Sequence, residues 1–65
     1  MEITINGKKR KIDDGSTVEQ LLRELAFKGP LAVELNRQVC PKSKHRQTFL
    51  KDGDVLEIVT IVGGG

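Results

Sequence analysis

Ile3 and Ile5 alternate with Glu2 and Thr4 at the start of the chain, the period of a strand with one buried face, and Asn6-Gly7 behind them is a type I′ turn signal. Together they predict a hairpin. Its second arm, Lys8-Lys9-Arg10-Lys11-Ile12, is poor in apolar residues, which suits an edge strand whose charges oppose pairing with another chain. Ser16 followed by Glu19 spells a capping box, so a helix is predicted to start there. Val18, Leu21, Leu22 and Leu25 then fall at i, i+3, i+4 and i+7 as one core-facing stripe, while Gln20, Arg23 and Glu24 face water. Gly29 is placed to close the helix in the left-handed conformation and Pro30 to prevent its continuation, which gives about 11 residues, or roughly 16 Å.

Leu31, Val33 and Leu35 alternate with Ala32 and Glu34, so a third strand follows the helix. Asn36-Arg37-Gln38 turns the chain toward a short fourth strand at Val39-Cys40, and Pro41 ends it or marks its edge. The polar run from Lys42 to Gln47 reads as loop, and Asp52-Gly53-Asp54 as a turn into the longest strand, Val55 to about Val62. One helix cannot cover two sheet faces. The economical solution is α+β: a single mixed, twisted sheet wrapped over one face of that helix, its other face partly wet, which is the β-grasp arrangement. On the last strand Leu56, Ile58, Thr60 and Val62 share one side, and Val55, Glu57, Val59 and Ile61 the other. A charged Glu57 does not belong in a core, so Leu56 and Ile58 are expected on the helix stripe and Val59 and Ile61 in the open, unless the Lys42–Thr48 loop or lysine stems cover them.

Composition narrows the function only a little. With 65 residues the chain holds one small domain, and a single cysteine, Cys40, excludes an internal disulfide. Cys40 with the lone histidine, His45, falls short of the four ligands of a structural zinc, so packing must supply the stability. No apolar stretch approaches the roughly 20 residues that span a bilayer. The opening Met1-Glu2-Ile3-Thr4 lacks the pattern of a secretory signal, and a single thiol suits a reducing cytoplasm. A net charge of +2 is too small to drive nucleic-acid binding. The basic run at Lys8–Lys11 reads as a solvated edge and not a phosphate site, because Asp13 and Asp14 follow at once and no aromatic is interleaved for base stacking. His45 reads as a surface residue of a polar loop. Cys40 reads as a small core residue with no second thiol to resolve it, and Asp52 and Asp54 as turn formers. No Ser/His/Asp or Cys/His constellation, metal set or phosphate-binding glycine loop can be assigned, so no catalytic site is expected.

Leu31-Ala32-Val33-Glu34-Leu35-Asn36, then Val39 and Pro41, Leu50 with Asp52-Gly53-Asp54, Leu56-Glu57-Ile58-Val59 and the closing Val62-Gly63-Gly64-Gly65 together resemble the ThiS family, the sulfur carriers of thiamin biosynthesis. The resemblance covers nearly the whole chain. Departures are Cys40, where the family usually has an aliphatic residue, and Lys42, where arginine is common after the proline. The resemblance implies a ubiquitin-like β-grasp domain over residues 1–62 and a glycine tail over 63–65. It also implies that Gly65 is adenylated and then converted to a thiocarboxylate that supplies sulfur to the thiazole ring. The implied partners are an ATP-dependent adenylating enzyme (ThiF-like), thiazole synthase (ThiG-like) and a sulfur donor such as a cysteine desulfurase. ATP would be used by the adenylating partner, and this chain would bind no cofactor or metal of its own. Gly63 and Gly64 lack Cβ atoms and could thread a narrow channel to bring the Gly65 carbonyl to ATP. Val59 and Ile61, beside that tail, would dock the partners. The alternatives are the small sulfur-carrying subunit of molybdopterin synthase, a ubiquitin-like tag, and a passive ubiquitin-like binding module.

Overall fold

Both pairs of alternating segments close as hairpins in the computed structural model, which describes residues 1–27 and 29–61. Strands β1 (Glu2–Ile5) and β2 (Lys8–Lys11) form the first, and β3 (Leu31–Leu35) and β4 (Gln38–Cys40) the second, with helix α1 (Val18–Glu24) between them and strand β5 (Val55–Thr60) last. The five strands make one sheet in the order β2-β1-β5-β3-β4. β5 runs parallel to β1 and antiparallel to β3. This is the mixed β-grasp sheet that the pattern predicts, with the basic strand β2 on one edge.

Each hairpin turns through two residues with positive φ, Asn6 (49°) with Gly7 (82°) and Asn36 (51°) with Arg37 (69°), the signature of type I′ turns. The two asparagines then serve a second purpose. The Asn6 side chain accepts from the Ile58 amide at 2.8 Å and donates to the Ile58 carbonyl at 3.1 Å, in the manner of one more ladder residue. Asn36 accepts from the Val55 amide at 2.9 Å through its side chain, and its Nδ2 donates to Asp54 Oδ1 at 3.0 Å. Both turns are thereby fastened to β5.

The helix departs from expectation at both ends. Its N-cap is Thr17 and not Ser16: the Thr17 hydroxyl accepts from the Gln20 amide, and the Gln20 side chain accepts in return from the Thr17 amide. Both spellings satisfy the capping-box pattern, and long-range pairing decides between them. Val18 donates to the Thr48 carbonyl and Leu50 to the Ser16 carbonyl, which holds Ser16 and Thr17 extended beside the Thr48–Leu50 segment. Ser16 Oγ donates instead to the Asp13 carbonyl. At the other end the helix stops after seven residues, with Leu25 as C-cap and Ala26 at φ 55°, so Ala26 makes the closure; Gly29 is left-handed as expected, at φ 80°, but lies three residues beyond it. Turning there lets Leu25 and Phe27 both pack against the core.

That core consists of Ile3, Ile12, Val18, Leu21, Val33, Cys40, Leu50, Leu56 and Ile58. It joins the helix stripe to the inner faces of β1, β3 and β5, as the alternation requires. β5 ends at Thr60, shorter than the strand expected to run to about Val62, and Val62 lies outside the described residues. The polar segment after Pro41 is not simply loop: Lys42–Lys44 form a turn of 3-10 helix.

Candidate functional site

β5 is the strand from which the glycine tail departs, and it lies at the centre of the sheet. Its faces are assigned as the charge of Glu57 requires. Leu56 and Ile58 are buried, while Val59 is 60% and Ile61 53% exposed, so neither the Lys42–Thr48 segment nor lysine stems cover them. Val59 stands opposite Ala32 of β3, and the Ile61 amide donates to the Pro30 carbonyl at 2.8 Å, which fixes the chain up to Ile61. An apolar patch thus sits at the root of the tail. Gly63, Gly64 and Gly65 lie outside the described residues.

The same open face carries features that strand parity alone did not single out. Val55 is exposed, Val39 on the edge strand β4 is 71% exposed, and the register sets Glu34 of β3 directly across from Glu57. Alternation assigns these residues to a face, but only the register brings the two carboxylates together.

Other residues weighed from the sequence fall as follows. Cys40 is a buried core residue, as expected, with its thiol 3.7 Å from Thr48 Oγ1. His45 corrects the expectation of a surface residue: it is only 7% exposed, and its Nε2 is 3.0 Å from the Cys40 carbonyl. The 3-10 turn folds the segment back over the end of β4, where the ring donates to the carbonyl of buried Cys40. The His45 carbonyl in turn accepts from the Glu19 amide, tying this segment to the helix. Asp52 and Asp54 are turn formers: Asp52 Oδ1 accepts from the Glu2 amide at 2.7 Å and Asp54 Oδ2 from the Lys51 amide at 2.7 Å. Among the described residues no three His, Cys, Asp or Glu side chains converge as metal ligands, and no helix is long and apolar enough to cross a membrane.

Comparison with known proteins places this architecture. The chain is 46% identical over its whole length to thiazole synthase of Paramagnetospirillum magneticum, of which it spans only 20%. It is 38% identical to the sulfur carrier protein ThiS of Bacillus subtilis, over 97% of this chain and 98% of that one. The crystal structure of the thiamine biosynthesis protein ThiS from Geobacter metallireducens superposes with a TM-score of 0.85 at 35% identity, each chain being covered completely. The profile of the ThiS family matches residues 3–65, and with the ubiquitin-like β-grasp sheet and its exposed tail root this shows that the chain belongs to the ThiS family.

Proposed function

We propose that the chain is a sulfur carrier of thiamin biosynthesis, a protein cosubstrate and not an enzyme, with Gly65 as the attachment point. The observation that carries this reading is the end-to-end likeness to the Bacillus subtilis sulfur carrier, together with a family match that extends through Gly65. An α-carboxylate has a pKa of about 3.3–3.7, so it is ionised at neutral pH and is a poor electrophile. Attack of a Gly65 carboxylate oxygen on the α-phosphorus of ATP forms an acyl adenylate and releases pyrophosphate. A sulfur nucleophile then attacks the carbonyl carbon and AMP departs, which splits one hard substitution into two easier ones. The adenylating enzyme binds ATP and supplies the catalytic groups; sulfur from a cysteine desulfurase arrives as a persulfide, and a thiol reductant cleaves the resulting acyl disulfide to leave the thiocarboxylate.

The chain's own contribution is delivery. Beyond Ile61, held by its bond to Pro30, four residues reach at most about 14 Å. The surface that docks and the carbonyl that reacts must therefore engage the same partner at once. Val59 and Ile61 supply an apolar contact within that reach, and Gly63 and Gly64 leave room for a close-walled channel. Thiazole synthase is the proposed recipient of the sulfur, a role supported by the likeness to part of the Paramagnetospirillum magneticum thiazole synthase. The cytoplasm, where ATP and reduced thiols coexist, is the proposed compartment.

Intact-mass measurement after incubation with the adenylating enzyme, ATP and a sulfur donor tests the reading. Replacement of one oxygen by sulfur is expected, with fragmentation placing it at Gly65, and removal of Gly65 should abolish it. Sulfur found on Cys40 would overturn the carrier mechanism.

A further inference from the structure

The centre of the open sheet face holds an arrangement that costs stability. Glu34 and Glu57 are directly opposed across β3 and β5, both exposed, and among the described residues neither forms a salt bridge. Like charges at directly opposed positions destabilise a sheet. Cations were not scarce in this chain, which has 11 Lys+Arg against 9 Asp+Glu. They lie elsewhere: Lys8, Lys9, Arg10 and Lys11 line β2 at the edge, with β1 between them and β5. Around the two carboxylates stand apolar neighbours instead, Val39 across from Glu34, Val55 before Glu57, and Val59 paired with Ala32 after it. The acid pair is thus continuous with the Val59–Ile61 patch.

Resting on the carrier reading, we propose that this face takes a cationic side chain from the adenylating enzyme, an arginine or lysine seated between Glu34 and Glu57 with apolar contacts around it. A guanidinium suits the site best, since its planar fork can donate to both carboxylates at once. Its arrival converts a repulsion within the free carrier into attraction across the interface, and the flanking valines exclude water from the contact. Electrostatic complementarity raises the encounter rate more than it prolongs the complex. A carrier that visits several partners in turn needs this balance, because a large apolar interface would slow its release.

The test uses Glu34→Gln, Glu57→Gln and the double variant, binding of each to the adenylating enzyme from low to high salt, and thermal unfolding of each carrier alone. Each single variant is expected to bind about fivefold more weakly at low salt, with a flatter salt dependence. Each should also unfold at a midpoint about 1–5 °C higher, because the repulsion is gone. A double variant that binds with wild-type affinity and wild-type salt dependence, while the wild type is adenylated normally, would overturn the cation site and leave the pair a solubility feature of the open face. Wild-type protein that is neither bound nor adenylated would overturn the carrier reading itself, and the cation site with it.

Discussion

The amide of Asn6 reads both hydrogen-bonding groups of Ile58, and this two-sided contact is sensitive to a change of one atom. Asn6→Asp keeps a side chain that tolerates positive φ and can still accept from the Ile58 amide, but it sets a carboxylate against the Ile58 carbonyl. We expect a loss of about 1–2 kcal/mol, read from the midpoint of denaturant unfolding. His45→Leu removes the side-chain donor to the Cys40 carbonyl and should cost about 0.5–1.5 kcal/mol, while His45→Gln, which retains a donor, should recover part of it. Equal stability of the two His45 variants would show that the hydrogen bond contributes nothing. Neither contact is legible in the sequence. Asn6 announces its turn through its neighbour Gly7, but its bond to a residue 52 positions away depends on which strand lies beside β1. His45 has only polar and charged neighbours, and the fold that buries it is a tertiary event.

Among the elements, the strands were far more legible than the limits of the helix. Period-two alternation fixes which side of β1, β3 and β5 is buried because the core tolerates no slip of one residue. The helix stripe was equally clear, yet two overlapping capping boxes competed at its start, and the pairing of Ser16–Val18 with Thr48–Leu50 chose the later one. At its end a glycine signal at Gly29 lost to Ala26, which adopts a left-handed conformation that L-residues find costly. Ala26→Gly should therefore stabilise the protein by about 0.5–1 kcal/mol, after allowing for the greater freedom of glycine in the unfolded chain. Destabilisation of similar size, as expected for glycine inside a continuous helix, would contradict a helix that ends at Glu24.

For the molecule as a whole, face assignment and strand order decide what a partner meets. The first is written in Glu57; the second follows only from the β-grasp arrangement as a whole, since no local pattern states that the last strand is inserted between the two hairpins. Val59→Asp places a charge on the open face and not in the core. It should leave a folded protein within about 1 kcal/mol of wild type, measured by circular dichroism and melting, but one that is poorly adenylated. Gly64→Val should likewise preserve the fold while blocking pyrophosphate exchange, because a β-branched side chain would collide with a channel built for glycine. The central position of β5 bears also on synthesis. A chain interrupted before Val55 holds the helix and two hairpins but no strand to join the hairpins into one sheet, and an isolated two-stranded hairpin is marginally stable at best in water. Since β1 and β3 both pair with β5, the hairpins cannot join into one sheet until β5 is made, and a chain cut after Gly53 should show no cooperative melting. Copies broken before β5 would then remain open to proteases, and the folded pool would be purged of molecules that lack the strand on which the proposed docking face is built.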